Sequence, residues 1–309
     1  MKNRIILAMT FGCLLSAGSA FAQSEEALPF VMIDRNPVSA GMGFAGAASS
    51  SETTYSSFRN SSVIPFSAEK VSFGLSGQRW APEGVKTTNI NFGAAVKAGK
   101  RFGFSVGAAY QTGEEYSLYD DSGVSQMTFK PNEMIVNGGV GFRILDNLSA
   151  GANIRYASQK LSSDNSYSAI ATDVFLTYRL SDLNITAGVS SLGSSVKSAS
   201  GDSFSLPASA TVGAEWSKAF SDAHGLRLAA DADYFFSGNV TAAAGAEYSF
   251  KNMLFARAGY HFGSKDAVLP SFATVGIGVR FFGISLDVAY LTANDIIGNT
   301  LTFGLGYRF

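Results

Sequence analysis

The chain has 309 residues, 46% hydrophobic, 13% aromatic and only 15% charged, with 33 glycines, one cysteine, two histidines and a formal net charge of -1. This composition excludes a basic nucleic-acid surface, a structural zinc cluster and an internal disulfide. Beyond the N-terminus no stretch approaches the roughly 20 consecutive apolar residues of a spanning helix, so a helical membrane bundle is excluded as well.

At the start of the chain, Lys2 and Arg4 precede an uncharged run from Ile5 to Leu15, and Ala20-Phe21-Ala22 offers small residues for cleavage. The pattern predicts a secretory signal peptide over residues 1–22 and a mature chain from about Gln23. Cys13, the sole cysteine, is expected to leave with it.

Residues 23–69 form the next unit. Gly41, Gly43, Ala45, Gly46, Ala47 and Ala48 carry little side-chain bulk and permit close backbone approach, while Phe30, Val31, Met32, Ile33 and Phe44 need something to bury against. Gly41 to Gly46 matches the G-x-G-x-x-G letters of a dinucleotide fingerprint. That fingerprint has meaning only in a strand-turn-helix unit with an acidic residue about 20 positions on, so no cofactor is expected.

From Lys70 onward apolar residues recur at every second position, as in Ile170, Thr172, Val174, Leu176, Tyr178 and Leu180 against Ala169, Ala171, Asp173, Phe175, Thr177 and Arg179. That is the period of a strand with unlike faces. About fourteen such strands are expected over residues 70–309, near 71–80, 87–98, 101–112, 133–144, 148–159, 168–180, 183–191, 208–218, 226–236, 240–250, 254–262, 272–282, 284–291 and 300–309. Tight links at Gly99-Lys100, Leu145-Asp146-Asn147, Ser181-Asp182, Lys251-Asn252-Met253 and Gly283 alternate with long ones such as 113–132 and 192–207, with Ala219 to Gly225 and Ser237-Gly238-Asn239 breaking the alternation. Short turns on one rim and long loops on the other are the pattern of an outer-membrane barrel and not of a soluble sandwich. The chain stops at Phe309, with apolar residues at two-residue steps before it. The fold class is therefore all-β, a monomeric transmembrane barrel surrounded by outer-membrane lipid.

Charges on the inward-facing positions predict lumen pairs. With Asn252 at the centre of its turn, Glu247 lies opposite Arg257; with Gly283-Ile284 as a two-residue turn, Arg280 would face Asp287. Asp173, Arg179, Asp231, Asp233 and Arg308 would extend this charged wall, which either fixes the register of the interior or forms a selectivity constriction. His261 is expected to point inward near the outer rim, with Asp233 two strands away and Asp266 in the next loop. No spacing assembles a nucleophile, base and orienting acid, so neither an enzyme nor a metal site is expected.

Three segments carry a family resemblance: Asp34-Arg35-Asn36-Pro37 through Ala47, Leu206-Pro207 through Gly213, and Gly245-Ala246-Glu247-Tyr248 through Tyr260. In these the chain resembles the PorV/PorQ outer-membrane proteins of Bacteroidetes, themselves similar in fold to the fourteen-stranded FadL channels. It departs from the family at Phe58-Arg59-Asn60-Ser61-Ser62, where Asn-Pro-Ala is usual. The resemblance implies that residues 28–69 form a hatch inside the barrel, with Gly41, Gly43 and Gly46 in its small-residue segment; the alternative is a flexible periplasmic lead-in. It also implies a type IX secretion-associated docking or translocation component, with secretion-system proteins or secreted cargo as partners, or else a FadL-like channel for hydrophobic small molecules. The loop from Gly113 to Asn132 combines Glu114, Glu115, Asp120 and Asp121 with Tyr116, Tyr119, Met127 and Phe129, which either steer and anchor a protein partner or form a solvated loop that folds over the mouth.

Overall fold

The computed structural model describes residues 26–80, 87–119, 125–162, 165–197, 203–263, 269–292 and 299–309; the expected signal peptide and Asp266 lie outside the described residues. Fourteen strands close into one barrel: β1 Val71–Trp80, β2 Thr87–Ala98, β3 Phe102–Thr112, β4 Asn132–Leu145, β5 Leu148–Lys160, β6 Ser166–Leu180, β7 Leu183–Gly193, β8 Ser209–Ala219, β9 His224–Phe235, β10 Val240–Phe250, β11 Leu254–Gly263, β12 Phe272–Phe281, β13 Ile284–Leu291 and β14 Thr300–Arg308. Each strand pairs antiparallel with its neighbours in the chain, and β14 closes on β1 through a register from Ser72 opposite Arg308 to Arg79 opposite Leu301. Closure leaves the sheet with no free edge, as a hydrocarbon surrounding demands.

The period-two pattern decides which face meets lipid. Outward-facing Ile277 is 65% exposed and Ile90 59%, whereas inward-facing Asn91 and Thr302 are each 1% exposed. A sandwich in water would bury the isoleucines. Here the apolar face is the outer surface, and aromatic pairs such as Phe102 with Phe142 (5.0 Å between ring centres) and Phe281 with Phe282 (4.1 Å) mark the short-turn rim as an interfacial girdle.

Turn geometry sets the register of the charged strands. Lys251 and Asn252 both take left-handed φ values (54° and 52°), and β10 and β11 pair around Asn252 so that Glu247 lies opposite Arg257. The β12–β13 turn differs from the sequence expectation. Phe282 and Gly283 are its two central residues, with φ values of 49° and 79°, which places Phe281 opposite Ile284 and Arg280 opposite Ser285. A two-residue turn with two positive φ values suits the twist of a hairpin, and centring it one residue earlier removes the expected Arg280–Asp287 pair. Asp287 instead accepts from Arg257 at 2.7 Å.

The lumen is not open. Residues 27–69 run through it from the long-loop rim, where the Ala27 amide donates to the Ser205 carbonyl, to the short-turn rim, where the Lys70 amide donates to the Phe309 carbonyl. This plug is built of short pieces: 3-10 turns at Pro29–Met32, Ser56–Phe58 and Ser61–Phe66, and a single helical turn at Pro37–Ala40 capped by Asn36, whose side chain accepts from the Val38 amide at 3.0 Å. Two apolar clusters fix its outer end to the wall. Leu28 and Phe30 pack with Ala109, Ile135, Ala157 and Ala169, and Ala40 and Phe44 pack with Leu269, Phe272 and Leu291.

Candidate functional site

Wall and plug meet through charge and backbone. Asp231 of β9 accepts from the amides of Gly46 (2.7 Å) and Ala47 (2.9 Å) and from the Arg59 guanidinium (2.7 Å), so one carboxylate gathers three donors from the plug. Lower in the barrel, Glu52 on the plug accepts from Arg308 at 2.8 and 3.1 Å and from Arg280 at 3.4 Å. Burial opposes the ionisation of Glu52, but Arg308, Arg280 and Arg227 outweigh it and hold the carboxyl down at about 2. Beside it a continuous ladder runs around the wall: Arg227 bridges Glu215 (3.6 Å) and Glu247 (2.8 Å), and Arg257 bridges Glu247 (2.6 Å) and Asp287 (2.7 Å). Arg227 also donates to the hydroxyls of Ser49 and Ser51. The wall charges therefore hold the plug in place.

The lower lumen is closed by polar packing. Asn60 donates to the Ala47 carbonyl (2.8 Å) and to Thr186 (3.0 Å), while the Ser61 hydroxyl lies 2.7 Å from that of Ser105 and the Ser62 hydroxyl 2.6 Å from that of Thr177. Gly43 shows why small residues recur here. Its φ is 71°, and a Cβ on it would stand 2.5 Å from the Tyr260 amide nitrogen, while its own amide donates to Thr274 at 2.8 Å. Gly41 and Gly276 approach similarly, a Cβ on Gly41 falling 3.1 Å from the Gly276 Cα.

At the outer end Arg35 organises the cover. Its guanidinium donates to the carbonyls of Phe30 (2.9 Å) and Ile33, curling Pro29–Met32 over the lumen, and its own carbonyl accepts from Ser76 at 2.7 Å. Burial and the neighbouring Arg155 lower Arg35 to about 9, which still leaves it charged at neutral pH. Arg155 is itself held by Asp173 at 3.0 Å, and Asp173 accepts from the Ser191 amide at 2.7 Å where β7 bulges against β6.

Between this cover and the packed lower plug lies a cavity of about 160 Å³. Phe44, Phe58, Phe175 and Phe235 supply aromatic surface; Arg59, Asp233 and His261 line it as well. Asp233 is occupied by the Thr211 hydroxyl at 2.5 Å. A cavity of roughly 150 Å³ is enough to take up benzene, so the volume matches one aromatic ring, held between aromatic walls and the polar groups of Arg35, Arg59, Arg155 and Asp233.

The partner-loop residues sit elsewhere. Above the rim, Tyr116–Tyr119 pairs with Ser125–Phe129 as a separate hairpin. The Tyr116 ring packs against Phe129 with centres 6.0 Å apart, and its hydroxyl donates to the Leu161 carbonyl at 2.5 Å. The Tyr119 side chain lies outside the described residues. Glu52, Arg59 and Arg35, which hold plug and cover, went unrecognised as site residues in the sequence. Glu52 and Arg59 pair with strand residues as much as 256 positions away, and Arg35 with two backbone carbonyls of its own segment, so no local pattern of side chains announces any of these pairings.

No protein-family model matches the chain, and no curated protein matches its sequence. Solved structures do. The toluene transporter TbuX of Ralstonia pickettii superposes with a TM-score of 0.63 at 14% identity, covering 89% of this chain and 98% of that one. The fold is that of the FadL-like outer-membrane barrels. The CymD monoaromatic hydrocarbon channel gives 0.63 at 15% identity over 90% and 97% of the two chains, and a Pseudomonas aeruginosa FadL homologue gives 0.56 at 12% identity over 90% and 99%.

Proposed function

We propose that this barrel is an outer-membrane channel for small apolar molecules of about one ring, gated by its internal plug. The observation that carries the reading is the cavity of about 160 Å³, walled partly by Phe44, Phe58, Phe175 and Phe235, between an outer cover and a packed lower plug. A general diffusion pore would keep a water-filled lumen; here Asn60 to Phe66 are buried against the wall. Export through cleavage after residue 22 and residence in an outer membrane belong to the same reading. The similar solved structures named as a toluene transporter and a monoaromatic hydrocarbon channel support it, whereas the type IX docking role expected from the sequence rests on short motifs alone. Partner capture by the outer hairpin draws on aromatic rings that are already packed on one another, Tyr116 against Phe129.

The experiment is flux through the purified protein in lipid vesicles. Radiolabelled toluene is expected to equilibrate faster in protein-containing vesicles than in empty ones, with saturation, while glucose does not enter. Glucose entry at a rate comparable to toluene would make the protein an open porin and end the proposal.

A further inference from the structure

Among the lining residues with unpaired polar atoms, which include Ser56, Arg35 and Arg155, one has its whole polar capacity unpaired on a ring. His261, on the inward face of β11, is 5% exposed and lines the cavity, yet neither ring nitrogen has a hydrogen-bond partner. Its ring stacks on Phe272, centres 4.9 Å apart and planes 14° apart, and lies 5.9 Å from Phe44. Phe44 and Phe272 in turn belong to one apolar cluster with Ala40, Leu269 and Leu291. The backbone of Gly43 is close enough to act on the imidazole electrostatically but does not reach hydrogen-bond geometry. Nearby polar groups are committed elsewhere: Thr274 to the Gly43 amide and Asp233 to Thr211.

A buried donor and acceptor left unpaired are costly, and native interiors rarely keep them without a use. We propose that His261 is a specificity residue of the channel, selecting among one-ring apolar molecules those that carry a single neutral hydroxyl. The match is one of inventory. A neutral imidazole presents one N–H donor and one bare nitrogen acceptor, and a hydroxyl presents one donor and acceptor lone pairs, so either end of the imidazole can be served. A plain hydrocarbon leaves the imidazole unpaired. Arg59 and Asp233 line the same cavity, so its charges favour neither a carboxylate nor an ammonium, and the selection falls to the imidazole. The flanking Phe272 and Phe44 rings provide the face against which a ligand ring stacks.

The inference rests on the channel reading and is tested apart from it, with phenol and toluene as probes. The chain has only two histidines, His224 and His261, and His224 sits at the opposite rim, its ring 2.5 Å from the Tyr248 hydroxyl. Nitrogen-15 spectra of the histidine-labelled full chain in detergent therefore resolve the site. Phenol is expected to shift the His261 ring signals saturably and leave His224 unmoved, whereas toluene produces no hydrogen-bond shift. His261→Phe, which keeps the stack but removes both polar atoms, is expected to lower the ratio of phenol to toluene affinity about tenfold, the loss of one hydrogen bond. Identical His261 signals with and without saturating phenol, or an unchanged affinity ratio in H261F, would show that only water serves the imidazole and would overturn the inference. If H261F loses the heat-modifiable migration of a folded barrel, the wild-type spectrum decides alone. Toluene flux without a phenol shift removes this inference and leaves the channel standing, whereas absence of toluene flux removes the channel reading itself.

Discussion

Replacing Glu52 by Gln should release the lower plug while leaving the barrel intact. Glu52 is the only carboxylate that the plug offers to Arg308 and Arg280 among the described ion pairs, and both arginines would be left facing an amide. The lowering of its carboxyl from 4.5 to about 2 corresponds to roughly 3 kcal/mol of preference for the ionised form, and breaking a buried pair by removing one partner costs about 3 to 5 kcal/mol. Taking ~3 kcal/mol, the local opening equilibrium around residues 49–56 should rise about a hundredfold, which hydrogen exchange reads directly as lost amide protection. The sign with pH follows from a lowered carboxyl. Its stabilisation is complete above about 4.5 and is lost as pH falls toward about 2. After correction for intrinsic exchange, wild-type protection over residues 49–56 should decline in that window, and the E52Q variant should show no such decline. Protection in E52Q within threefold of wild type at pH 7 would refute the reasoning, because the pair would then contribute nothing to holding the plug.

Two further substitutions separate the cover from the seat. Arg35→Met removes both donors to the Phe30 and Ile33 carbonyls, and exchange at residues 30–33 should quicken about thirtyfold, the effect of ~2 kcal/mol, with the lower plug unchanged. Gly43→Ala forces a Cβ to 2.5 Å from the Tyr260 amide at a φ of 71° and should increase protease cleavage within residues 37–50. The control is Gly99→Ala, at a φ of 66° with nothing within 4 Å of the added Cβ, which should leave the plug as resistant as wild type.

The wall was legible because a barrel strand writes its two environments into alternate residues. Fourteen segments were placed to within two residues of the observed ends, and the Glu247–Arg257 register followed from a turn centred on Asn252. Register failed at β12–β13 for a local reason: Phe282 takes a positive φ, which a phenylalanine does not advertise as Asn or Gly would. The plug's composition suggested close packing, but its seat was hidden. Asp231 meets amides of Gly46 and Ala47 more than 180 positions away, and backbone donors carry no letter in the sequence. The cavity was hidden for the same reason, since Phe44, Phe175 and Phe235 come together only once the plug is folded inside the wall.

The central claim is that molecules cross through the lumen and that the plug is the gate. The Ser61 and Ser105 hydroxyls, one on the plug and one on β3, are 2.7 Å apart, and replacing both by cysteine in the mature chain offers a disulfide between them. Toluene flux into vesicles is then measured with the pair oxidised and again after reduction. The account predicts that oxidation lowers flux to that of empty vesicles and reduction restores it; equal flux in the two states would contradict it.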